Sequence, residues 1–252
     1  MKKATILALV VLCAFSASAA ELTVDEILAK NAEAKGGLEK LRALESARFV
    51  GTMSMGGMEA PITITKARPE KTRVEFTIQG MTAIQAFDGT TGWMVMPFTG
   101  KKDPEVLPAD RLKDAKSQAD FDGPFIDAAK KGNKFELLGK EKIDGTDAYK
   151  LKLTTKDASE STVYLDANTF LEMKMVAKRP MQGQEVETET ILGNYKDFGG
   201  LLFPLKIENK IQGMAVGQII TIDKVELNPK LADDSFSMPK KAETPAEPAK
   251  QQ

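Results

Sequence analysis

The stretch ARFVGTMSMGGMEAPITIT, Ala47–Thr65, decides the fold. Successive side chains of an extended chain point to opposite faces. Phe49, Gly51, Met53 and Met55 therefore share one face, with Arg48, Val50, Thr52 and Ser54 on the other. Gly56-Gly57 is a turn signal, after which PITIT (Pro61–Thr65) resumes the alternation with Ile62 and Ile64 together. The same period of two recurs in Val74/Phe76/Ile78, in Tyr149/Leu151/Leu153 against Lys150/Lys152, in Leu171/Met173/Met175 against Glu172/Lys174, and around Val186–Thr190. Turn signals at Asp88-Gly89, Asp144-Gly145, Asp166-Ala167-Asn168 and Gly199-Gly200 separate these runs. The pattern predicts about ten to twelve antiparallel strands, each with one apolar and one solvated face.

Helical patterning is confined to two places. Thr23-Val24-Asp25-Glu26 reads as a capping box, and Ile27, Leu28 and Ala32 continue one helix face. Gly36-Gly37 ends or kinks that helix, and Leu38, Leu41 and Leu44 carry helical spacing to about Glu45. Between Lys101 and Asn133 the spacing is helical again. Pro108 opens one short helix (Leu112, Ala115, Ala119), and Gly123-Pro124 opens a second (Phe125, Ile126, Ala129). The fold class is thus mainly β (α+β). An apolar sheet face must be covered, and so few helices leave a concavity. The expectation is an incomplete antiparallel barrel with a few helices as a lid over one apolar pocket of several hundred Å³.

The two ends read differently. Met1-Lys2-Lys3, the apolar run Ala4–Phe15 and the small residues Ser16–Ala20 have the layout of a secretory signal peptide over residues 1–20, cleaved after Ala19 or Ala20. Leu12 before Cys13 does not suit a lipid-attachment site, and the apolar run is too short to span a bilayer. The Lys-Lys opening is bacterial in style, so the expected destination is the periplasm. Residues 21–239 form the expected folded domain, and 240–252 (KKAETPAEPAKQQ) a disordered tail.

Composition excludes whole classes of chemistry. With 35 basic and 36 acidic residues the chain has no electrostatic case for nucleic acid. It has no histidine and one cysteine, which removes Ser–His–Asp and Cys–His nucleophiles, imidazole-bound zinc and internal disulfides. No cofactor is expected. The twelve methionines stand out, with Met53/Met55, Met94/Met96 and Met173/Met175 spaced i, i+2. Methionine adapts to partners of variable shape, so these pairs suit either a pocket for acyl chains or an ordinary core. MSMGGM (Met53–Met58) also has thioether spacing that could hold Cu(I). Its strand neighbours are apolar, however, and no His or Cys assists. A carboxylate-only hydrolase is the remaining enzyme class, but most acidic residues occupy turns or solvated strand faces. Ser237-Met238-Pro239-Lys240 matches S-x-x-K by letters only, since Pro239 argues against the helix that motif needs. The expectation is a non-enzyme.

Several segments, in order, resemble the LolA family of periplasmic lipoprotein carriers and its wider superfamily. ITKARPEKTRVEF (Ile64–Phe76) resembles the family's strand, Arg-Pro, strand signature, and FDGTTGWMVMPF (Phe87–Phe98) its D-G…W…P-F hairpin. DGPFIDA (Asp122–Ala128) resembles the helical lid segment. YLDANTFLEMKM (Tyr164–Met175) suits the paired late strands, and DDSFSMP (Asp233–Pro239) resembles a C-terminal strand. The chain is longer between Pro97 and Gly123 than the best-known carriers, and its tail is extended. The resemblance implies an incomplete barrel that carries acylated lipoproteins, as a monomer, from an inner-membrane ABC exporter to an outer-membrane acceptor. It implies that Arg68 bonds to lid backbone and gates the cavity. The expected lining is Phe49, Met53, Met55, Ile62, Ile64, Val74, Phe76 and Ile78 from the first strands. Trp93, Met94, Met96 and Phe98 come from the next hairpin, Phe125 from the lid, and Leu151, Leu153, Met173 and Met175 from the later strands. Relatives of this fold also serve as envelope-stress sensors or bind other lipids, which is the alternative role.

Overall fold

The computed structural model describes residues 21–181 and 184–239; the expected signal peptide with its Ala19/Ala20 cleavage signal, and the tail from 240, lie outside the described residues. Two helices come first, α1 (Val24–Ala34) and α2 (Leu38–Ala43), followed by strands β1 (Ser46–Met55), β2 (Met58–Ala67), β3 (Lys71–Ile78), β4 (Met81–Phe87), β5 (Gly92–Met96) and β6 (Lys101–Val106). Helix α3 (Ala109–Ala119) precedes β7 (Lys134–Ile143), β8 (Thr146–Thr154), β9 (Glu160–Asp166), β10 (Glu172–Met181), β11 (Gln184–Phe198), β12 (Leu201–Ile211) and β13 (Gln218–Leu227). All thirteen strands join one antiparallel sheet in the order β6-β5-β4-β3-β2-β1-β13-β12-β11-β10-β9-β8-β7. The first and last strands of the chain pair at its centre. The edges β6 and β7 do not pair with each other, which leaves the barrel incomplete.

The local chemistry explains most boundaries. At the start of α1, the Glu26 amide donates to the Thr23 hydroxyl, and the Glu26 carboxylate accepts from the Thr23 amide at 2.8 Å. Gly36 ends the helix at φ 116°, where a Cβ would lie 2.1 Å from the Gly200 carbonyl oxygen; the helix end is pinned against the β11–β12 turn. Gly51 sits at a register shift between β1 and β13, and a Cβ there would lie 1.9 Å from the Thr221 carbonyl oxygen.

Three expectations are corrected. Residues 101–106 form the edge strand β6, not helix. Pro104 lacks the N–H a helix interior needs but is tolerated on a sheet edge. The segment after Gly123-Pro124 is a series of turns, because Asp127 takes the left-handed region at φ 53° and interrupts any helical run. Asp233–Ser237 forms turns, closed by the Ser235 amide on Ala232 and the Ser237 amide on Asp234, instead of a last strand.

Four apolar clusters hold the sheet. Ile27 of α1 and Phe125 pack on Tyr149, Leu151, Leu153, Val163 and Leu165 at the β7–β9 end. At the other end, Leu112, Ala115 and Ala119 of α3 cover Phe87, Met94 and Leu107. Leu41 and Leu44 join Ala47, Leu201, Phe121 and Phe203 beneath α2. The fourth cluster, on the central strands, is described next.

Candidate functional site

Register fixes which side chains share the face beneath the helices. Phe49 stands opposite Ile64, Ile64 opposite Val74, Val74 opposite Gln85, and Gln85 opposite Met94. The adjacent row on one side is Gly51, Ile62, Phe76 and Ala83. The adjacent row on the other side is Ala47, Lys66, Thr72, Phe87 and Gly92. Met53, Ala60, Ile62, Leu205, Ile220 and Ile222 are buried in the central cluster, and Phe49, Ile64, Val74, Phe76 and Ile78 are half-buried around it. This central face is an apolar trough flanked by α3 at one end and α1 at the other. Phe98 lies at its margin, its ring 6.0 Å from that of Phe76.

The other expected lining residues are distributed. Phe125, Leu151, Leu153 and Met175 belong to the cluster under α1, where the Phe125 ring stacks on Phe135 at 5.1 Å. Met94 packs under α3. Met55 is exposed beside the Gly56-Gly57 turn, and Met96 is half-buried near a register shift. Met173 falls in a bulge between Glu172 and Lys174, so it does not share the face of Met175 as strict alternation predicts. Met53 is buried and its sulfur accepts a hydrogen bond from Gln218 at 3.0 Å.

Trp93 is on the opposite face, a correction to its expected place in the lining. Arg48, Thr65, Arg73, Ala86 and Trp93 form one cross-sheet row there. The Trp93 indole N–H donates to the Phe236 carbonyl at 2.8 Å, and the Arg73 guanidinium lies 5.6 Å from its ring centre. A cavity of about 760 Å³ lies on this outer face, lined by Arg48, Thr65, Arg73, Glu75, Ser235 and Ser237. It is charged, and none of the trough residues lines it.

Arg68 follows β2 and is the most connected side chain near the trough. Its Nε donates to the Leu44 carbonyl at 2.9 Å and its Nη2 to the Leu41 carbonyl at 2.9 Å. Its Nη1 and Nη2 grip Asp122 at 2.8 and 2.6 Å, and Phe121 stacks beneath at 5.0 Å. It thereby ties the end of α2 to the segment after α3. Polar groups also sit under α1. Lys35 pairs with buried Glu172 at 3.0 Å, and the Tyr195 hydroxyl donates to the Glu172 carbonyl at 2.9 Å. Burial works to raise the Glu172 pKa, but the charge and hydrogen bond of Lys35 outweigh it and hold the carboxyl below its ordinary value. Burial beside this carboxylate pushes the Tyr195 phenol up.

Lys66 and Thr72 were missed by the sequence reading, although a signal existed. Ile62, Ile64 and Lys66 are three consecutive members of one strand face, so the alternation itself puts a cation at the end of an apolar row. Among the described residues no group of three or more acidic, His or Cys side chains is placed to hold a metal. No helix there is long and apolar enough to cross a membrane.

The sequence matches no protein-family model and no curated protein. Its structure is similar to that of a DUF1329 family protein from Desulfovibrio piger, with TM-score 0.61 and 13% identity over 84% of this chain and 96% of that one. It is similar to a domain named for outer membrane lipoprotein sorting from Vibrio parahaemolyticus, with TM-score 0.59 and 13% identity over 84% and 95%. It is also similar to a LolA superfamily protein from Nitrosomonas europaea, with TM-score 0.58 and 16% identity over 86% and 98%. Each match covers 84–86% of this chain, and the chain has the LolA-like fold.

Proposed function

We propose that this protein is a periplasmic carrier that takes up the acyl chains of lipoproteins, or of a related lipid, in the inner trough and delivers them toward the outer membrane. The observation that carries this reading is the trough itself. A contiguous patch of half-buried Phe49, Ile64, Val74, Phe76 and Ile78 around buried Met53, Ala60 and Ile62 presents more apolar surface than scattered single residues would. The likeness in fold to a domain named for outer membrane lipoprotein sorting supports a lipoprotein or related lipid as the cargo. In this reading Arg68 is the gate, because one guanidinium links α2 and the Asp120–Gly123 segment across the mouth of the trough. An ABC exporter and an outer-membrane acceptor are the corresponding partners, and the chain works as a monomer after removal of residues 1–20.

Solvent extraction of the exported protein, followed by mass spectrometry, tests the cargo. A bound acylated species is expected at near-stoichiometric amount. In a binding assay a fluorescent fatty-acid probe should be displaced by a triacylated lipopeptide but not by Cu(I) or an oligosaccharide. Absence of probe binding, or Cu(I) binding abolished by Met53→Leu with Met55→Leu, would overturn the reading.

A further inference from the structure

Lys66 lies in the row Ala47, Lys66, Thr72 and Phe87, whose Phe87 packs under α3. It is half-buried, and among the described residues its ammonium makes no hydrogen bond and no ion pair. The acidic groups at this end already have partners. Asp120 is held through both oxygens by Lys131 at 2.6 and 2.8 Å, Asp122 by Arg68, and Glu172 by Lys35. Among the described residues this leaves Lys66 without an ion-pair partner, with Asp120 acting on it only at longer range.

Its cross-strand neighbour has the matching deficit. Thr72 is 2% exposed, and among the described residues its hydroxyl has no hydrogen-bond partner. A buried polar group without a partner is destabilising, typically by about 1–3 kcal/mol. Cross-strand neighbours on one face have Cβ atoms about 4.5–5.5 Å apart. An ammonium and a hydroxyl, both unanswered among the described residues, thus belong to neighbouring positions on one sheet face at the edge of an apolar surface. From Lys66 the same strand face continues through Ile64 and Ile62 to Ala60, a run of about 20 Å at strand rise.

We propose that Lys66 and Thr72 form the head-group subsite of the trough, which takes an oxyanion, carboxylate or phosphate, borne on a long acyl chain that lies along Ile64, Ile62 and Ala60. The proposal rests on the lipid-binding reading above and narrows it to anionic amphiphiles. A compact ammonium suits either oxyanion, and the Thr72 O–H completes a second donor. Burial pushes the Lys66 pKa down to about 8, with Lys35 and Lys131 adding to the effect and Asp120 opposing it. Lys66 is therefore mostly charged at pH 7, and an incoming anion stabilises that form. Preference for the anionic head should fade as pH rises above about 8.

Equilibrium dialysis of the mature chain against labelled palmitate, hexadecyl phosphate and hexadecanol tests this. The wild type should bind one or both anions about tenfold or more tighter than the alcohol at pH 7, the size of one charged hydrogen bond. The tighter of the two anions identifies the head as carboxylate or phosphate. Lys66→Met should bring the anion-to-alcohol ratio close to one with alcohol binding unchanged. Lys66→Arg should retain the preference, and Thr72→Val should lower it several-fold. A ratio unaffected by Lys66→Met, with all ligands still bound, overturns the subsite and leaves the trough standing. Failure of the wild type to bind any of the three overturns both readings.

Discussion

Arg68 donates to two helix-end carbonyls and to both oxygens of Asp122, so its loss leaves three acceptor groups without their partner. Asp122 is the most costly of these, since its side chain is only 15% exposed. Hydrogen bonds to charged groups contribute about 1.5–3 kcal/mol, and removing one partner of a partly buried pair costs more than the pair contributes. Arg68→Leu should therefore lower unfolding stability by about 2–4 kcal/mol in urea titrations. The residue is thus part of the fold as well as the proposed gate, and lipid off-rates must be compared at matched folded fraction. Slower release by Arg68→Leu is the expected result; an equal off-rate would confine Arg68 to a structural role. Lys66 should behave in the opposite way. Its folded pKa of about 8 lies below the ordinary 10.5, so the unfolded chain binds more protons between these values and stability rises with pH across that window. Below about pH 8 the buried charge is a standing penalty. Lys66→Met should be more stable than wild type at pH 7, with the advantage fading as pH approaches 10.5. Thermal melts across pH 6–11 read this directly. A wild type more stable than Lys66→Met at pH 7 would mean that the ammonium has a strong partner in the empty protein.

At the level of elements, what was legible in the sequence is what local chemistry specifies. The β1–β2 hairpin follows from the period of two on either side of Gly56 and Gly57, both at positive φ, with Met55 paired to Met58 across the turn. The start of α1 follows from the Thr23/Glu26 capping box, and that of α3 from Pro108. The Arg-Pro segment was legible as a strand connection, and its guanidinium does reach backbone carbonyls. What was not legible depends on partners far away in the chain. The KKDPEV strand β6 has no apolar alternation, because an edge strand can be held by backbone pairing to β5 alone. Trp93 looked like lining because it is large and apolar, but strict alternation allows only one of Trp93 and Met94 to face the trough. The choice is made by Phe236, 143 residues away. The bulge at Gly51 belongs to the same category, since only the approach of β13 requires it. Gly51→Ala would press a methyl group into the Thr221 backbone, and overpacking of this kind costs about 1–3 kcal/mol. A loss in that range on chemical denaturation is expected, whereas a neutral effect would show that β1 and β13 can separate locally without strain.

For the whole molecule, under the proposed function the attachment of α3 decides how a lipid enters. Its inner side is held by apolar burial, with Ala115 and Ala119 fully buried against Phe87 and Leu107 of the β4–β6 region. Its outer side reaches the far part of the sheet through ion pairs, Lys113 to Asp157 at 2.6 Å and Arg179 to Asp114 at 2.5 Å. Both pairs are roughly half exposed, and exposed pairs contribute only about 0.2–1 kcal/mol each. Burying a leucine-sized side chain contributes about 1.5–3 kcal/mol. The weak attachment should therefore yield first, with α3 staying on β4 and β5 while the β8–β9 loop moves away. A ligand shifts such an equilibrium only by its differential affinity for the two states, which an acyl chain has if the trough is accessible only in the separated form. Since Cys13 is the single cysteine, a chain beginning at Glu21 has none and can be labelled freely. Spin labels at Lys116→Cys and Lys156→Cys should move apart on addition of palmitate, while a pair at Lys116→Cys and Thr82→Cys should keep its distance. Salt should mimic the lipid in part, because the Debye length falls to about 3 Å at 1 M, so the first distance distribution should broaden at high ionic strength without any ligand. If palmitate instead lengthens the Lys116–Thr82 distance, α3 leaves β4 and β5 as the trough fills, and apolar burial, not the two ion pairs, is the contact that opens.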